Sequence, residues 1–506
     1  MLTSRELVSF AKEAMGVVAR EADCAAFEIY CSSSEQIVAR LNYTCDIPCR
    51  GVEEIKSLAA DGFALRIVSR RNPCESGVAF EAGDLSIESV RAALSGARRA
   101  VVVDPHFPGL PARPKRLQLK PAGAASDLMR AGSGAVIPAA WAIVRGGAAA
   151  FAALAPRSLR QPGLIIGGDI SIIRDRIAIA NSNFQDLRTD QSAYFSSSVT
   201  ALVEALDAKG TASAIGASLA AMNRMAPQLG SGAVSRALKL LRGERPPGGA
   251  YRVLLGPQPV AEILNYVVMG SLTTGAFYAA NSAYQSRLGE QVMDARISLF
   301  DDPAFEPGAL GRRITCEGLP ARRTEMVRAG RLVGLLSNFY DANRLAADPE
   351  RAAKLGPAAG DAIRFPVRSG YRLGEGGGRR FDANPAAVGT NVVMRARDGV
   401  NERALLKALG DGIYVGRVWY TYPINGQRAG DFSCTISGDS YLVKNGKVAA
   451  PLAPNSLRIN AHIDQVFRDV VAIAKRAHPA LIWGAPEAYY VPAIVVDGLA
   501  LAAVGD

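Results

Sequence analysis

Apolar positions along the first half of the chain switch between two spacings. From Leu7 to Ala22 they recur at helical spacing and predict an amphipathic helix. Ala25-Ala-Phe-Glu-Ile-Tyr30 and Gln36-Ile-Val-Ala-Arg-Leu41 read as two strands, and the runs 61–69 and 76–80 as a hairpin turning at Arg71-Asn72-Pro73. Ser86 is the expected N-cap of a helix that reaches Arg99, with Glu88 close behind. Asp169–Asn181 and Ser192–Glu204 alternate as strands do, and Ala233–Leu241 has the spacing of a short helix. Pro and Gly in Arg242-Gly-Glu-Arg-Pro-Pro-Gly-Gly249 then break regular structure.

Beyond that break the pattern changes. A short strand, Tyr251–Leu255, a Gly-Pro-Gln-Pro turn and a helix over Val260–Ser271 come first. In that helix Val260, Ile263, Leu264 and Val267 form one buried stripe. Strand patterns dominate afterwards. Hairpins are predicted around Arg328-Ala-Gly330, at Asn445-Gly446, whose residues suit a type I′ turn, and at Asp497-Gly498. The expected class is α+β. Residues 1–242 form an N-terminal α/β domain with a curved mixed sheet, 243–250 a linker, and 251–506 a C-terminal domain of antiparallel sheets with few helices.

Composition narrows the function classes. The chain has 506 residues, 49% hydrophobic and 21% charged, which suits globular domains with their own cores. Its net charge of +11 is spread over scattered Arg pairs such as Arg70-Arg71 and Arg322-Arg323, with no basic tail. Solvated faces are a better reading than a nucleic-acid surface, because no nucleic-acid motif accompanies the charge. The N-terminus lacks a signal pattern, and seven scattered cysteines suit reduced thiols, so a cytoplasmic protein is expected. An Ala-rich insert covers about 119–160. Its most apolar part, Ala131–Ala155, is interrupted by Pro138, Arg145 and Gly146-Gly147, and predicts packed helices rather than a bilayer span.

Several segments resemble the TldD/PmbA family, also called TldD/TldE. They are the strand–turn–helix at 251–271, Asp301-Asp302-Pro303, Cys316-Glu-Gly-Leu-Pro320, Glu325-Met-Val-Arg-Ala-Gly-Arg-Leu, Gly389-Thr-Asn-Val-Val393 and Gly412-Ile-Tyr-Val415. The run Asn425-Gly-Gln-Arg-Ala-Gly-Asp-Phe-Ser-Cys-Thr-Ile-Ser-Gly438 is similar to the PmbA/TldE branch. In catalytic TldD members the helix reads Ile-Leu-Leu-His-Glu-x-x-x-His, which supplies two zinc ligands and a general base. By that resemblance Tyr266 stands at the first His, Val267 at the Glu and Ser271 at the second His, while Ser437 falls at the Cys that is the third ligand. One difference is Cys316, which replaces the family's Asp.

A zinc peptidase needs converging imidazoles or thiolates and a carboxylate beside the metal-bound water. The three histidines, His106, His462 and His478, include no helical pair, and Cys45 with Cys49 lacks a second pair. No catalytic or metal-binding residue is therefore assigned. The resemblance implies a TldE-like subunit without a cofactor, paired with a TldD-type chain that carries zinc and acts on unfolded or extended peptides. Asp431, Phe432, Ser433, Ser437 and Gly438 are the candidate peptide contacts, on the view that a peptide adds to a strand edge. Two alternatives stay open. One is a pathway-specific peptide-binding homologue, acting as a homodimer or with another modifying enzyme. The other is a metal-independent enzyme built on Tyr266, Ser271 or Cys434.

Overall fold

A computed structural model of the chain describes all residues except 46–49, 115–126, 156–162, 185, 205–207, 241–242, 359–363, 375–377 and 506. The N-terminal half holds strands β1 (Cys24–Thr44), β2 (Lys56–Ser69), β3 (Glu75–Ala82), β4 (Val102–Val103), β5 (Leu164–Asn181), β6 (Arg188–Val203) and β7 (Ala208–Gly216). They form one sheet in the order β4-β3-β2-β1-β5-β6-β7, and every pairing is antiparallel. Its helices are α1 (Ser4–Val18), α2 (Ile87–Arg99), α3 (Ser133–Leu154) and α4 (Leu219–Lys239).

Side chains alternate across a strand, so the parity of β1 assigns its two faces. Phe27, Ile29 and Cys31 pack under α1 and α2, and Ile37, Ala39 and Leu41 under α3 and α4. The even positions Glu28 and Tyr30 lie on the opposite face, where Tyr30 packs with Ile314, Cys316 and Phe381 of the C-terminal half. The sheet is thus sandwiched between its own helices and the second half of the chain.

Several expectations change here. The two strands predicted at 25–30 and 36–41 are one long strand, because Ser32, Ser33 and Ser34 lie buried between β2 and β5 with their backbone in the sheet. The short helix at 233–241 is the end of α4, which runs through Pro227. The first helix starts earlier than its apolar stripe, at a capping box made by Thr3 and Glu6. Ser86 does cap α2, through the backbone N–H of Ser89.

The Ala-rich segment also acquires a role. α3 is long and apolar enough to cross a membrane by length and composition. Here it packs against α4 and buries Val136, Ala139, Ala140, Ile143, Val144, Gly147 and Phe151. The approach is close enough that a Cβ on Gly146 would lie 2.2 Å from the Pro227 carbonyl oxygen, and one on Gly230 1.9 Å from that of Ile143. Small residues are what that contact requires.

The C-terminal half contains β8 (Gly249–Leu255), β9 (Ile297–Asp301), β10 (Thr324–Arg328), β11 (Arg331–Leu332), β12 (Gly370–Arg372), β13 (Pro385–Ala387) and β14 (Asn391–Ala396). It continues with β15 (Gly412–Ile424), β16 (Asp431–Lys444), β17 (Lys447–Pro451), β18 (Leu457–His462), β19 (Val470–Ile473), β20 (His478–Ala480), β21 (Ala488–Val491) and β22 (Ile494–Ala503). One sheet runs β11-β10-β9-β14-β21-β20. In the other, β15-β8-β22-β18-β16 closes on itself because β16 also pairs with β15. Those strands form a small barrel with β17 and β19 attached.

The α+β class holds, but the parallel pairings expected in the N-terminal sheet occur in this half instead. They are β15 with β8 and β14 with β21. The turn at Asn445-Gly446 forms as predicted, both residues having positive φ. Asp497-Gly498 is not a hairpin turn. It is a bulge within β22, whose two ends pair with the same strand, β8. The linker at 243–250 is also tied down, since Glu244 exchanges backbone hydrogen bonds with Pro451 and Ala453, and Gly249 already begins β8.

A buried ion cluster joins the halves. Arg379, 1% exposed at its side chain, bonds Asp175 Oδ1 at 2.7 Å and Asp190 Oδ2 at 2.8 Å. Arg313 bonds Asp190 Oδ1 at 2.9 Å.

Candidate functional site

The helix after β8 begins earlier than its apolar run suggests. Gly256 is the N-cap and Pro257 occupies the first turn, where a missing N–H is harmless. The Gly-Pro-Gln-Pro segment is therefore largely helix α5 (Pro257–Ile263) rather than turn. One π-turn over Leu264–Val268 follows, with the Met269 N–H bonded to the Leu264 carbonyl, and then a 3-10 turn over Met269–Ser271. In an α-helix, residues five apart point about 140° away from each other. A π-turn winds less per residue and reduces that offset. The backbone thus carries the kind of distortion that a His pair five residues apart would need.

The side chains around it pack and hydrogen-bond within the chain. Val260, Ile263, Leu264 and Val267 are all fully buried in the main apolar cluster. Tyr266 is 38% exposed, and its hydroxyl donates to the Trp483 carbonyl at 3.2 Å. Ser271 is fully buried; its Oγ accepts from the Ala283 N–H at 3.2 Å and from Gln427 Nε2 at 3.0 Å. Gln427 also donates to the Val267 carbonyl, so its amide stitches the end of this helix to the segment before β16. Asn265 accepts from the Tyr489 hydroxyl at 2.9 Å. Ser437 is on β16, its Oγ buried without a hydrogen-bond partner among the described residues.

The thiol and imidazole candidates do not meet. Cys434 is fully buried, and burial holds its thiol far above the ordinary value, so it stays protonated. His462 lies across from Asp431, not from Cys434, and both its ring nitrogens bond to backbone at Asp464 and Ala429. The position of Cys49, the proposed mate of Cys45, lies outside the described residues. Among the described residues no group of three or more His, Cys, Asp or Glu is placed to hold a metal ion.

The edge-strand reading of 431–438 is not supported by the pairing. Asp431, Phe432 and Ser433 have β15 on one side and β18 on the other. Phe432 is fully buried, and Ser433 donates to Asn460 Oδ1 at 2.8 Å. Gly438 faces the N-terminal half, with Leu240 and Lys209 as its neighbours. A closed barrel has no edge at this strand. β15 pairs with β8 from Ile413 to Val415, the Gln258 amide then takes the Val418 backbone N–H and carbonyl, and from Trp419 onward β16 is the only strand partner among the described residues. That stretch carries Tyr420 and Tyr422, 71% and 46% exposed.

Glu262 is a residue that sequence reasoning passed over. It lies one helical turn before Tyr266 and is 6% exposed. Burial pushes its carboxyl up to about 7, and the nearby Arg417 opposes that shift. Its Oε2 accepts from Gln258 Nε2 at 3.0 Å. A single acid inside the apolar run Val260-Ala-Glu-Ile-Leu264 was the available signal.

This geometry defines a strand–helix framework with a π-turn, its side chains packed and hydrogen-bonded within the chain. Comparison with known proteins agrees on the framework. Residues 248–503 match the model of the PmbA/TldA metallopeptidase C-terminal domain, and the chain belongs to the PmbA/TldD family. A metalloprotease of Methanothermobacter thermautotrophicus is 25% identical over 172 residues, which cover 34% of this chain and 37% of that protein. A metalloprotease of Methanocaldococcus jannaschii is 27% identical over 117 residues, covering 23% and 26%. The matched stretches thus span well under half of these curated relatives. TldE from Thermococcus kodakarensis superposes with a TM-score of 0.75 at 14% identity, covering 99% of this chain and 100% of that one. A Bacteroides thetaiotaomicron protein described as a candidate modulator of DNA gyrase gives 0.73 at 17% identity, with 100% of both chains covered. At such identities the likeness shows the shared fold.

Proposed function

We propose that this chain is the non-catalytic, TldE-like member of a two-chain cytoplasmic metallopeptidase, in which a TldD-type partner holds the zinc. The observation that carries this reading is the helix at 257–271. It contains a π-turn, while Tyr266, Val267 and Ser271 include no imidazole and no carboxylate, and Ser271 and Val267 are held in packing. Membership of a metallopeptidase family, together with relatives named metalloproteases, supports the activity of the complex. This chain would complete the wall of a chamber that receives extended peptides. The peptide would lie along the end of β15 from Trp419 to Ile424, where exposed Tyr420 and Tyr422 can cover it and no described strand pairs on the side away from β16.

The test is co-expression with a chain bearing His-Glu-x-x-x-His on the matching helix. The two should co-purify and cleave an unfolded peptide, whereas this chain alone should carry no stoichiometric zinc by elemental analysis and cleave nothing. Zinc at one equivalent in the isolated chain would overturn the proposal. For the metal-independent reading, Ser271 is taken up by Ala283 and Gln427, Cys434 is fully buried, and Tyr266, one turn from Glu262, bonds to the Trp483 carbonyl.

A further inference from the structure

The cavity between the two halves has no part in the function proposed above. It measures about 470 Å³ and lies on the even face of β1 and β2, roofed by the segments around Phe107, Glu317 and Tyr340. Such a volume is within the range of small-molecule sites. Its lining contains charges of both signs that offset one another through space yet leave hydrogen-bonding capacity open among the described residues. Glu28 is 7% exposed and accepts no hydrogen bond from any described residue, and burial raises its carboxyl above the ordinary range. Arg66 is its direct cross-strand neighbour, yet the two form no ion pair, and the Arg66 guanidinium rests 5.7 Å from the Phe107 ring without a hydrogen bond. Arg372, 2% exposed, spends one nitrogen on the Phe381 and Ala383 carbonyls and leaves its buried Nε free. Glu317 accepts from the Phe339 N–H through Oε1, and its Oε2 is sealed from solvent beside the Cys316 thiol, so it adds negative charge to the lining without an open contact.

Buried polar groups are nearly always satisfied, and uncompensated buried charge is costly. Unmatched groups of both signs around one cavity therefore specify what would complete it. A metal ion does not suit, because two arginines line the space. An anion such as phosphate would meet Glu28 and Glu317, and a simple amine would leave Arg66 and Arg372 unmatched. The remaining acids are engaged: Asp104 accepts from the Tyr340 hydroxyl at 2.8 Å, and Asp341 pairs with Arg344 at 2.9 Å. We propose that this cavity binds a small zwitterion of the α-amino acid or dipeptide class, its ammonium held by Glu28 and its carboxylate by Arg66 and Arg372. The site lies wholly within this chain and requires neither zinc nor a partner.

Titration calorimetry on the intact protein tests this with a panel of free amino acids and dipeptides at millimolar concentration. Each is paired with its N-acetylated and its amidated form, which lack the ammonium and the carboxylate respectively. At least one zwitterion should bind, and both blocked forms should bind about tenfold more weakly or worse. Glu28→Gln and Arg66→Gln should each abolish the signal with an unchanged circular dichroism spectrum. Val102, an exposed lining residue, offers a variant that leaves the buried charges alone, and Val102→Trp should obstruct entry. The proposal is overturned if no zwitterion binds, if blocked forms bind equally well, or if Val102→Trp binds undiminished.

Discussion

The helix at 257–271 and the cavity between the halves are both buried and both carry polar groups, but they treat those groups in opposite ways. At the helix, Ser271 is bonded to Ala283 and Gln427, Asn265 to Tyr489, and Val267 has joined the apolar core. In the cavity, Glu28 and Arg66 face the same space with no hydrogen bond on either. A buried polar group that is satisfied reports on packing, whereas one left open reports on something outside the chain. By that criterion the polar groups of the helix report on packing, and the cavity is the better place to look for a ligand. Glu262 is the exception on the helix side, a buried acid whose carboxyl is held near neutrality.

The largest effect expected lies at the seam that forms the cavity. Arg379→Met leaves Asp175 and Asp190 without their shared cation, and should destabilise the protein by about 3–5 kcal/mol in urea titrations. A loss below 1 kcal/mol, on the order of a surface pair, would mean that the seam is far looser than the helix. Next, Val267→Glu restores the family's acid at a fully buried position. An unpaired carboxylate there should cost about 3 kcal/mol; near-wild-type stability would show that the old site is still open to a charged group. Ser271→Ala strands the Ala283 N–H and the Gln427 amide, for a loss of about 1–2 kcal/mol by the same titration.

The fourth prediction concerns pH. The Glu262 carboxyl is raised from 4.5 to about 7, chiefly by burial. A carboxyl raised in the folded state contributes its full stability below its unfolded pKa and loses it as the pH climbs through the folded value. Wild type should therefore weaken between about pH 5 and pH 8, and Glu262→Gln should weaken less over the same window. Asp301 and Glu487 are also raised to about 7 by burial, so only the difference between wild type and variant reports on Glu262. Identical pH slopes would remove Glu262 from the account. The smallest effect is expected from Tyr266→Phe, which deletes one hydrogen bond on a partly exposed ring and should change stability by no more than about 0.5 kcal/mol. A larger loss would mean that the Trp483 contact is a structural clamp rather than a surface feature.

Local signals in the sequence were read correctly where the chemistry is local. The Ser86 cap, the hairpin at 61–80, the Asn445-Gly446 turn and the buried stripe of Val260, Ile263, Leu264 and Val267 all depend on neighbouring residues, and all form. Signals that depend on distant strands were misread. Ser32–Ser34 resemble a break until β5, more than 130 residues away in the chain, covers the other side of β1. Asp497-Gly498 resembles a hairpin turn until β8 pairs with both ends of β22. Asp431–Ser433 resemble an edge until β18 closes the barrel.

The amino-acid sequence by itself determined which residue types the helix carries. Tyr266, Val267 and Ser271 include no imidazole and no carboxylate, and that holds whatever surrounds them. Only the tertiary structure decided which polar groups are satisfied. Glu28, Arg66, Glu317 and Arg372 lie in separate stretches of chain and look like ordinary charged residues in the sequence. Their distinction arises because strand register and the packing of one half on the other bring them around one cavity and withhold their partners, and neither relation is encoded in any short segment.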